Sequence, residues 1–352
     1  MTLRLRASLA ERGVDVDLRL AAGETLALLG PNGAGKSSVL AILAGLLRPD
    51  TGSAALGDDV LFELPASGPA RWLPPHRRGI ALLAQDALLF PHLSVRRNVE
   101  FAPRSAGVPR TEARERADRW LERTGCAAFA DRRPGDLSGG QAQRVAIARA
   151  LAAEPLLTLL DEPLASLDVS VAAELRGMLS DVLAARTAVI VTHDALDAYL
   201  LADRVAVLGA GRVVEEGPTA RVLAHPRHPF TAELAGLTLL TGRRTRDGLV
   251  TDDGFALAGT TAAPVAEGAR VTAVVRPSAV SVSMPRTGGR EPDADGIPAT
   301  VTALEPRDDL VRIRTDRLTA LTPAALVAEL RLAPGTRVRL SVPESDVHIT
   351  PV

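Results

Sequence analysis

Apolar and polar residues alternate through the first twenty positions. "LRLRASL" and "VDVDLRL" each place every second residue on one face, which predicts a half-exposed antiparallel strand pair. "TLALL" (25–29) does not alternate and predicts a short buried strand, while "SSVLAILAGLL" (37–47) has helical spacing with no breaker before Gly45. "RPDTGSAALGDD" (48–59) reads as a turn-rich section, and "GIALLAQ" (79–85) as a buried strand running into Gln85. Two Arg/Glu-rich helical patterns within 94–124 flank "PRSAGVPR" and predict a helical insertion over about 87–140. "GGQAQRVAIARALAAEP" (139–155) predicts a helix stopped by Pro155. "LLTLLDEP" (156–163) and "TAVIVTHD" (187–194) predict strands with polar ends. Strands alternating with helices imply an α/β fold whose mainly parallel sheet binds ligand at the strand C-termini. Lys36, Gln85, Asp161, Glu162 and His193 all fall just beyond such ends.

The pattern changes near residue 240. After the polar run "TGRRTRDG", short alternating strands follow with few helix signals. "GARVTAVVRPSAVSV" (268–282) resembles "GTRVRLSVPESDVHI" (335–349) at an offset of 67 residues, and "PRTGGREPDADG" (285–296) between them reads as a mobile loop. The expected organisation is an α/β domain over 1–235 and a small all-β domain of two related halves over 243–352.

Composition narrows the field of partners. The 352 residues are 46% hydrophobic and 24% charged with a net charge of −1, which gives no electrostatic reason to expect nucleic acid. A single cysteine, Cys126, rules out an internal disulfide. The N-terminal stretch lacks the apolar region of a signal peptide, and no apolar run is long enough for a membrane helix. Work at a membrane would have to pass through a partner.

The one lysine in the chain is Lys36, although Lys and Arg together number 41. It closes Gly30-Pro31-Asn32-Gly33-Ala34-Gly35-Lys36-Ser37, the G-x-x-x-x-G-K-[ST] pattern of a P-loop, set between a strand and a helix and followed by Ser38. Glycines let backbone N–H groups turn inward, and the helix start adds its positive dipole end. A compact ammonium on a flexible stem can follow the β- and γ-phosphates, whereas a planar guanidinium cannot replace it.

"LSGGQAQR" (137–144), with the P-loop, Gln85, "LLTLLDEP", "ASLD" (165–168) and His193, completes the motif order of an ABC-transporter ATPase, which residues 1 to about 235 resemble. The resemblance implies a head-to-tail homodimer that sandwiches ATP between the P-loop of one subunit and Ser138, Gly139, Gly140 and Gln141 of the other. It implies Mg²⁺ ligation by Ser37, with Asp161 holding the ion and Gln85 sensing it. It implies Glu162 as the base for the attacking water, His193 as the switch that contacts the γ-phosphate, and Asp168 as a link across the dimer. ABC ATPases of this kind usually carry an aromatic ring before the P-loop to stack on adenine; residues 1–61 contain none, which leaves an aliphatic side chain or Arg12 for that place.

Among ABC proteins, DNA-repair and chromosome-organising members need a long coiled coil between P-loop and signature, and translation factors carry two ATPase units. The chain has neither, so the resemblance is to an importer subunit, a peripheral protein on the cytoplasmic face of the membrane. "QDALLFPHLSVRRNVEF" (85–101) resembles the segment that grips the membrane permease subunits, with Phe90, Pro91 and Leu93 as the docking residues. A substrate-binding protein would be an indirect partner. The wording of "DEPLASLD" and "FPHLSVRRN" and the C-terminal halves look most similar to molybdate or tungstate importers, with sulfate, iron and polyamine importers as alternatives. Their OB-like C-terminal domain resembles small oxyanion-binding proteins and can regulate transport. Here "VPES" (342–345) departs from that pattern by placing Glu344 where a lysine is often found.

Overall fold

The computed structural model describes residues 1–165, 167–261, 264–285 and 296–351. The interior of the loop expected at 285–296, and Ser166 of "ASLD", lie outside the described residues. Contacts divide the chain into two units, Met1–Val222 and Leu223–Val352.

In the first unit, β1 (Leu3–Leu9) and β2 (Val14–Leu20) pair antiparallel with Leu3 opposite Leu20 and Leu9 opposite Val14, so both alternating patterns bury the same face. β3 (Thr25–Leu29) is buried at every position, as its continuous apolar run requires. It leads through the P-loop into α1 (Lys36–Ala44).

The section expected to be turn-rich is instead a hairpin. β4 (Thr51–Leu56) pairs with β1, and β5 (Asp59–Leu64) pairs with β4 and with the short β6 (Arg71–Trp72). Gly52 misleads a reading of the sequence. At φ +129 its missing Cβ is what lets the backbone lie against the Arg6 carbonyl, where any side chain would collide. Gly52 reads as a breaker but is a point of close strand approach.

β7 (Ile80–Leu83) is parallel to β8 (Leu157–Asp161), and β9 (Ala188–Val191), β3 and β10 (Arg204–Gly209) continue the parallel sheet. β11 (Arg212–Pro218) closes it antiparallel, in the order β11-β10-β3-β9-β8-β7. β7 was expected to be buried. It lies at the sheet edge, and only Leu83 is buried.

The helical insertion contains α2 (Val95–Ser105) and α3 (Arg110–Arg123), and the signature opens α4 (Gly139–Ala152). α5 (Val169–Leu183) and α6 (Ala195–Leu201) follow β8 and β9. Two cores result. One joins β1, β2, β4 and β5 to α1 and one face of the sheet; the other packs the helices on the opposite face through Trp120, Leu121, Ile147 and Leu179. Arg78 is only 2% exposed and secures the P-loop helix from behind. Its guanidinium donates to the Ile42 and Leu43 carbonyls at 2.8 and 2.9 Å, in the last turn of the helix, where carbonyls lack full intrahelical pairing. It stacks 4.4 Å from the Trp72 ring, and burial pushes its pKa down to about 10.

α7 (Thr219–Ala224) spans the division between the units. The second unit holds α8 (Pro229–Leu234), which packs on β12 (Thr238–Arg244). That packing puts the division ahead of the boundary expected at 235–243. β13 (Gly248–Thr251), β14 (Ala256–Ala258), β15 (Thr260–Thr261), β16 (Arg270–Val275) and β17 (Ser281–Ser283) follow. β18 (Ile297–Arg307), β19 (Leu310–Thr315), β20 (Thr319–Pro323), α9 (Ala324–Glu329), β21 (Arg337–Ser341) and β22 (Val347–Pro351) complete it. Two sheets, β14-β13-β12-β16-β22-β15 and β17-β21-β18-β19-β20, share one apolar core.

Each of the similar halves is a strand, a Pro-containing turn and a second strand. The first strand of each pairs antiparallel with the second strand of the other, β16 with β22 and β21 with β17. The two turns therefore carry the chain between the sheets in opposite directions.

Candidate active site

The P-loop is shaped by its glycines and left open by its helix. Gly30, at φ +145, rests so close to the Leu208 carbonyl that a Cβ would overlap it, which pins the loop to the end of β10. α1 starts at Lys36 behind Gly35, and no side chain caps it, so its first N–H groups face outward without intrahelical partners. Lys36 is 7% exposed and donates through Nζ to the Gly30 and Pro31 carbonyls at 2.7 and 3.0 Å. Burial draws its pKa down, and the nearby Glu162 and Asp161 charges push it back up. Asn32, Gly33 and Ser37 lie exposed on the rim, while Ala34 and Ser38 are buried. The Ser38 hydroxyl accepts from Arg12 Nη1 at 3.3 Å, which sets a guanidinium beside the start of α1.

The acidic end of β8 faces this loop. Asp161 hydrogen-bonds the Ser37 hydroxyl; burial raises its pKa most, the Ser37 bond opposes that, and the adjacent Glu162 charge adds to it. Hard oxygen donors on a carboxylate that resists carrying its charge alone fit a divalent magnesium ion. Glu162 adopts φ +48, a left-handed backbone unusual outside glycine, and its N–H is tied to the Val191 carbonyl at 3.0 Å. That geometry turns its carboxylate toward β9, where Oε2 lies 3.5 Å from His193 Nδ1. Gln85 is exposed just past the end of β7. A carboxylate beside an imidazole and opposite a phosphate cradle can accept a proton from water and hold the product charge.

The signature lies elsewhere in the unit. Ser138, Gly139, Gly140 and Gln141 line a cavity of about 480 Å³ with Arg144, Phe129 and Asp168, and the P-loop does not contribute to it. Ser138 and Gln141 form a capping box at the start of α4: Ser138 Oγ accepts from the Gln141 N–H at 3.3 Å, and Gln141 Oε1 accepts from the Ser138 N–H at 3.0 Å. The Ser138 hydroxyl keeps its own proton to donate. The structure thus gathers the sequence-predicted residues into two separate groups, Lys36–Ser37–Asp161–Glu162–His193 and Ser138–Gln141–Asp168.

Two residues that shape the segment at 85–101, one within it and one in α4, are not evident from the sequence. Asn98, fully buried, accepts from the Phe90 N–H at 2.8 Å and donates to the Phe90, Leu93 and Ser94 carbonyls, which holds the loop in shape. Arg149 of α4 donates to the Leu88 and Ala87 carbonyls at 2.8 and 3.0 Å and lies 5.3 Å over the Phe90 ring. Phe90 stacks on Phe101 at 4.6 Å, and Leu88 and Phe101 present apolar surface at 66% and 46% exposure. Only the folded loop reveals Asn98, and only contacts remote in sequence reveal Arg149.

This fold and its phosphate cradle define a P-loop ATPase. The sequence matches the ABC transporter family over residues 14–165. It is 45% identical to the molybdenum import ATP-binding protein ModC of Mycobacterium tuberculosis, over 99% of this chain and 97% of the relative. It is 38% identical to an Fe(3+) ions import ATP-binding protein, FbpC 1, of Rhodococcus jostii, over 91% and 89%. It is 34% identical to the sn-glycerol-3-phosphate import ATP-binding protein UgpC 2 of Agrobacterium fabrum, over 95% and 87%. Among solved structures, the dimeric post-hydrolysis state of the ATP-binding cassette MJ0796 bound to ADP and Pi superposes with a TM-score of 0.53 at 29% identity, covering 62% of this chain and 98% of that one. The chain belongs to the ABC transporter family, as an ATP-hydrolysing subunit of the import type. No helix among the described residues is long and apolar enough to cross a membrane.

Proposed function

We propose that this subunit powers molybdate uptake, closing as a head-to-tail homodimer on two ATP molecules. The observation that carries the dimer is the separation of the two groups of residues. One chain offers a triphosphate cradle at Lys36 and, apart from it, an uncovered helix start at Ser138–Gln141. Apposing two copies would let each signature face the γ-phosphate in the other copy's P-loop.

In this reading Ser37 and Asp161 would hold magnesium, and Gln85 would sense the same ion. Bound there, the ion supplies positive charge to the phosphate oxygens. Gly30 through Ser38 bind the triphosphate, and Lys36 moves from its two carbonyls to the β- and γ-phosphates. Glu162 takes the proton of the attacking water, while His193 holds Glu162 and the γ-phosphate in register. Asp168 reports closure across the dimer. Tighter binding of ATP to the closed pair drives the switch, and hydrolysis reopens it.

The exposed Leu88 and Phe101 beside the half-buried Phe90 suit docking of membrane permease subunits, so the chain works as a peripheral protein on the cytoplasmic face, with a substrate-binding protein as an indirect partner. End-to-end similarity to a molybdenum import protein supports molybdate as cargo. An iron cargo is the second reading, favoured by the Fe(3+) import relatives. We assign the small β unit a regulatory role in that transport. Cells lacking this chain should lose high-affinity molybdate accumulation while iron accumulation is unchanged. Wild-type chain should restore it and Phe90→Asp should not, although Phe90→Asp keeps its basal ATP turnover. Loss of iron uptake instead of molybdate uptake selects the second reading, and full rescue by Phe90→Asp removes the docking assignment.

Base selectivity should be weak. With no aromatic residue in 1–61 and Arg12 lying beside α1, the base meets a guanidinium that stacks on either purine. GTP should be hydrolysed with a kcat/KM within about ten-fold of that for ATP. Strict rejection of GTP in a phosphate-release assay would contradict that placement.

A further inference from the structure

His193 lies on an open rim with its side chain 61% exposed, so its direction has to be set through the backbone that carries it. That backbone is clamped from below by buried polar groups. Thr192, 3% exposed, donates its hydroxyl to Asp197 Oδ2 at 3.0 Å and accepts from the Asp194 N–H at 3.1 Å. Asp197 is 5% exposed in the first turn of α6, and its other oxygen accepts from Arg176 of α5 at 2.7 Å. Arg176 also comes within 3.7 Å of Asp194, on the far side of the histidine. One guanidinium thus braces both neighbours of His193, Asp194 directly and Thr192 through Asp197. It sits about two turns along the helix that begins at Asp168.

We infer that Arg176 and Asp197 are positioning residues for hydrolysis: together they hold Thr192–Asp194 so that His193 meets Glu162, and they tie that alignment to the helix springing from Asp168. The inference rests on the roles of Glu162 and His193 proposed above. A buried ion pair could serve only to join α5 to α6, and the two roles separate physically. Apolar residues of similar volume can replace a buried pair with little loss of stability, but they cannot orient a hydroxyl and a loop.

The test uses the full-length chain, steady-state ATP hydrolysis with magnesium, and thermal melting. Asp197→Asn and Arg176→Lys are made in the wild-type and in the His193→Ala background, with a double variant carrying Arg176→Met and Asp197→Leu. Each single variant should lower kcat by about ten- to a hundred-fold. KM for ATP should stay within about two-fold, since binding is untouched. Neither should lower kcat further when His193→Ala is already present. The apolar double variant should melt near the wild-type temperature yet keep the kcat defect.

Losses that multiply with His193→Ala, or a wild-type kcat in the apolar double variant, would overturn the inference while leaving the site reading intact. A wild-type kcat for His193→Ala alone overturns the site reading and this inference with it.

Discussion

Glu162→Gln should abolish turnover while leaving ATP bound. Glu162 departs from ordinary backbone geometry at φ +48, a conformation that costs about 1–3 kcal/mol unless its surroundings enforce it. Here the enforcement is visible in the N–H bond to Val191 at the end of β9. The result is a carboxylate aimed at the space between His193 and the P-loop. Glutamine keeps the length and planarity of that side chain and can still hydrogen-bond, but it cannot take a proton. Loss of a positioned base should lower kcat by about 10²–10⁴-fold. Affinity for ATP depends on the cradle and should change little. In the proposed cycle hydrolysis reopens the pair, so the variant should accumulate as a nucleotide-loaded dimer. Phosphate release and light scattering with ATP and magnesium measure both effects. Hydrolysis at the wild-type rate would remove the base assignment, and a strictly monomeric loaded variant would remove the head-to-tail reading.

Lys36→Ala should be nearly as damaging, by a different route. The ammonium is the only lysine charge in the chain, and it is held 7% exposed opposite Asp161 and Glu162. Removing it leaves two carboxylates facing an incoming triphosphate with one cation fewer. Both binding and charge stabilisation suffer, so turnover should fall by about 10²–10³-fold or more, and nucleotide affinity should fall with it. Lys36→Arg should not rescue, because a rigid planar fork cannot follow the phosphates from a site already closed by Gly30 and Pro31. Titration with a fluorescent ATP analogue, read beside phosphate release, distinguishes this pattern from that of Glu162→Gln, in which binding survives. Retained affinity and rate in Lys36→Ala would refute the phosphate role.

What could be read from the sequence was whatever adjacency along the chain controls. Five residues sit just past strand ends, and a parallel sheet brings such ends to one edge, so Lys36, Asp161, Glu162 and His193 could be placed near one another before any coordinates. The hairpin at 51–64 was hidden because Gly52 has the appearance of a breaker. The exposure of β7 was hidden because apolar composition does not distinguish an edge strand from an interior one. The braces were hidden for a reason of composition: where nearly every basic residue is arginine, the buried Arg78 and the half-buried Arg149 and Arg176 resemble those on the surface. Their acceptors are carbonyls and carboxylates far away in the chain, as in Arg149 reaching Ala87 and Leu88. Asn98 is similar, a polar residue within a polar helix whose burial depends on the fold of the loop before it.

The exchanged strands of the C-terminal unit have a consequence for how it is made. β22 is the last strand described, yet it lies between β16 and β15 in the interior of its sheet. During synthesis, β16 can pair with β12 but must leave its other edge vacant until nearly all of the unit has left the ribosome. Ordering therefore arrives late and all at once, as distant pairings do. Nor can either repeat be cut out as a module, because deleting one would strip a ribbon from both layers and expose the valines that its counterpart was meant to cover.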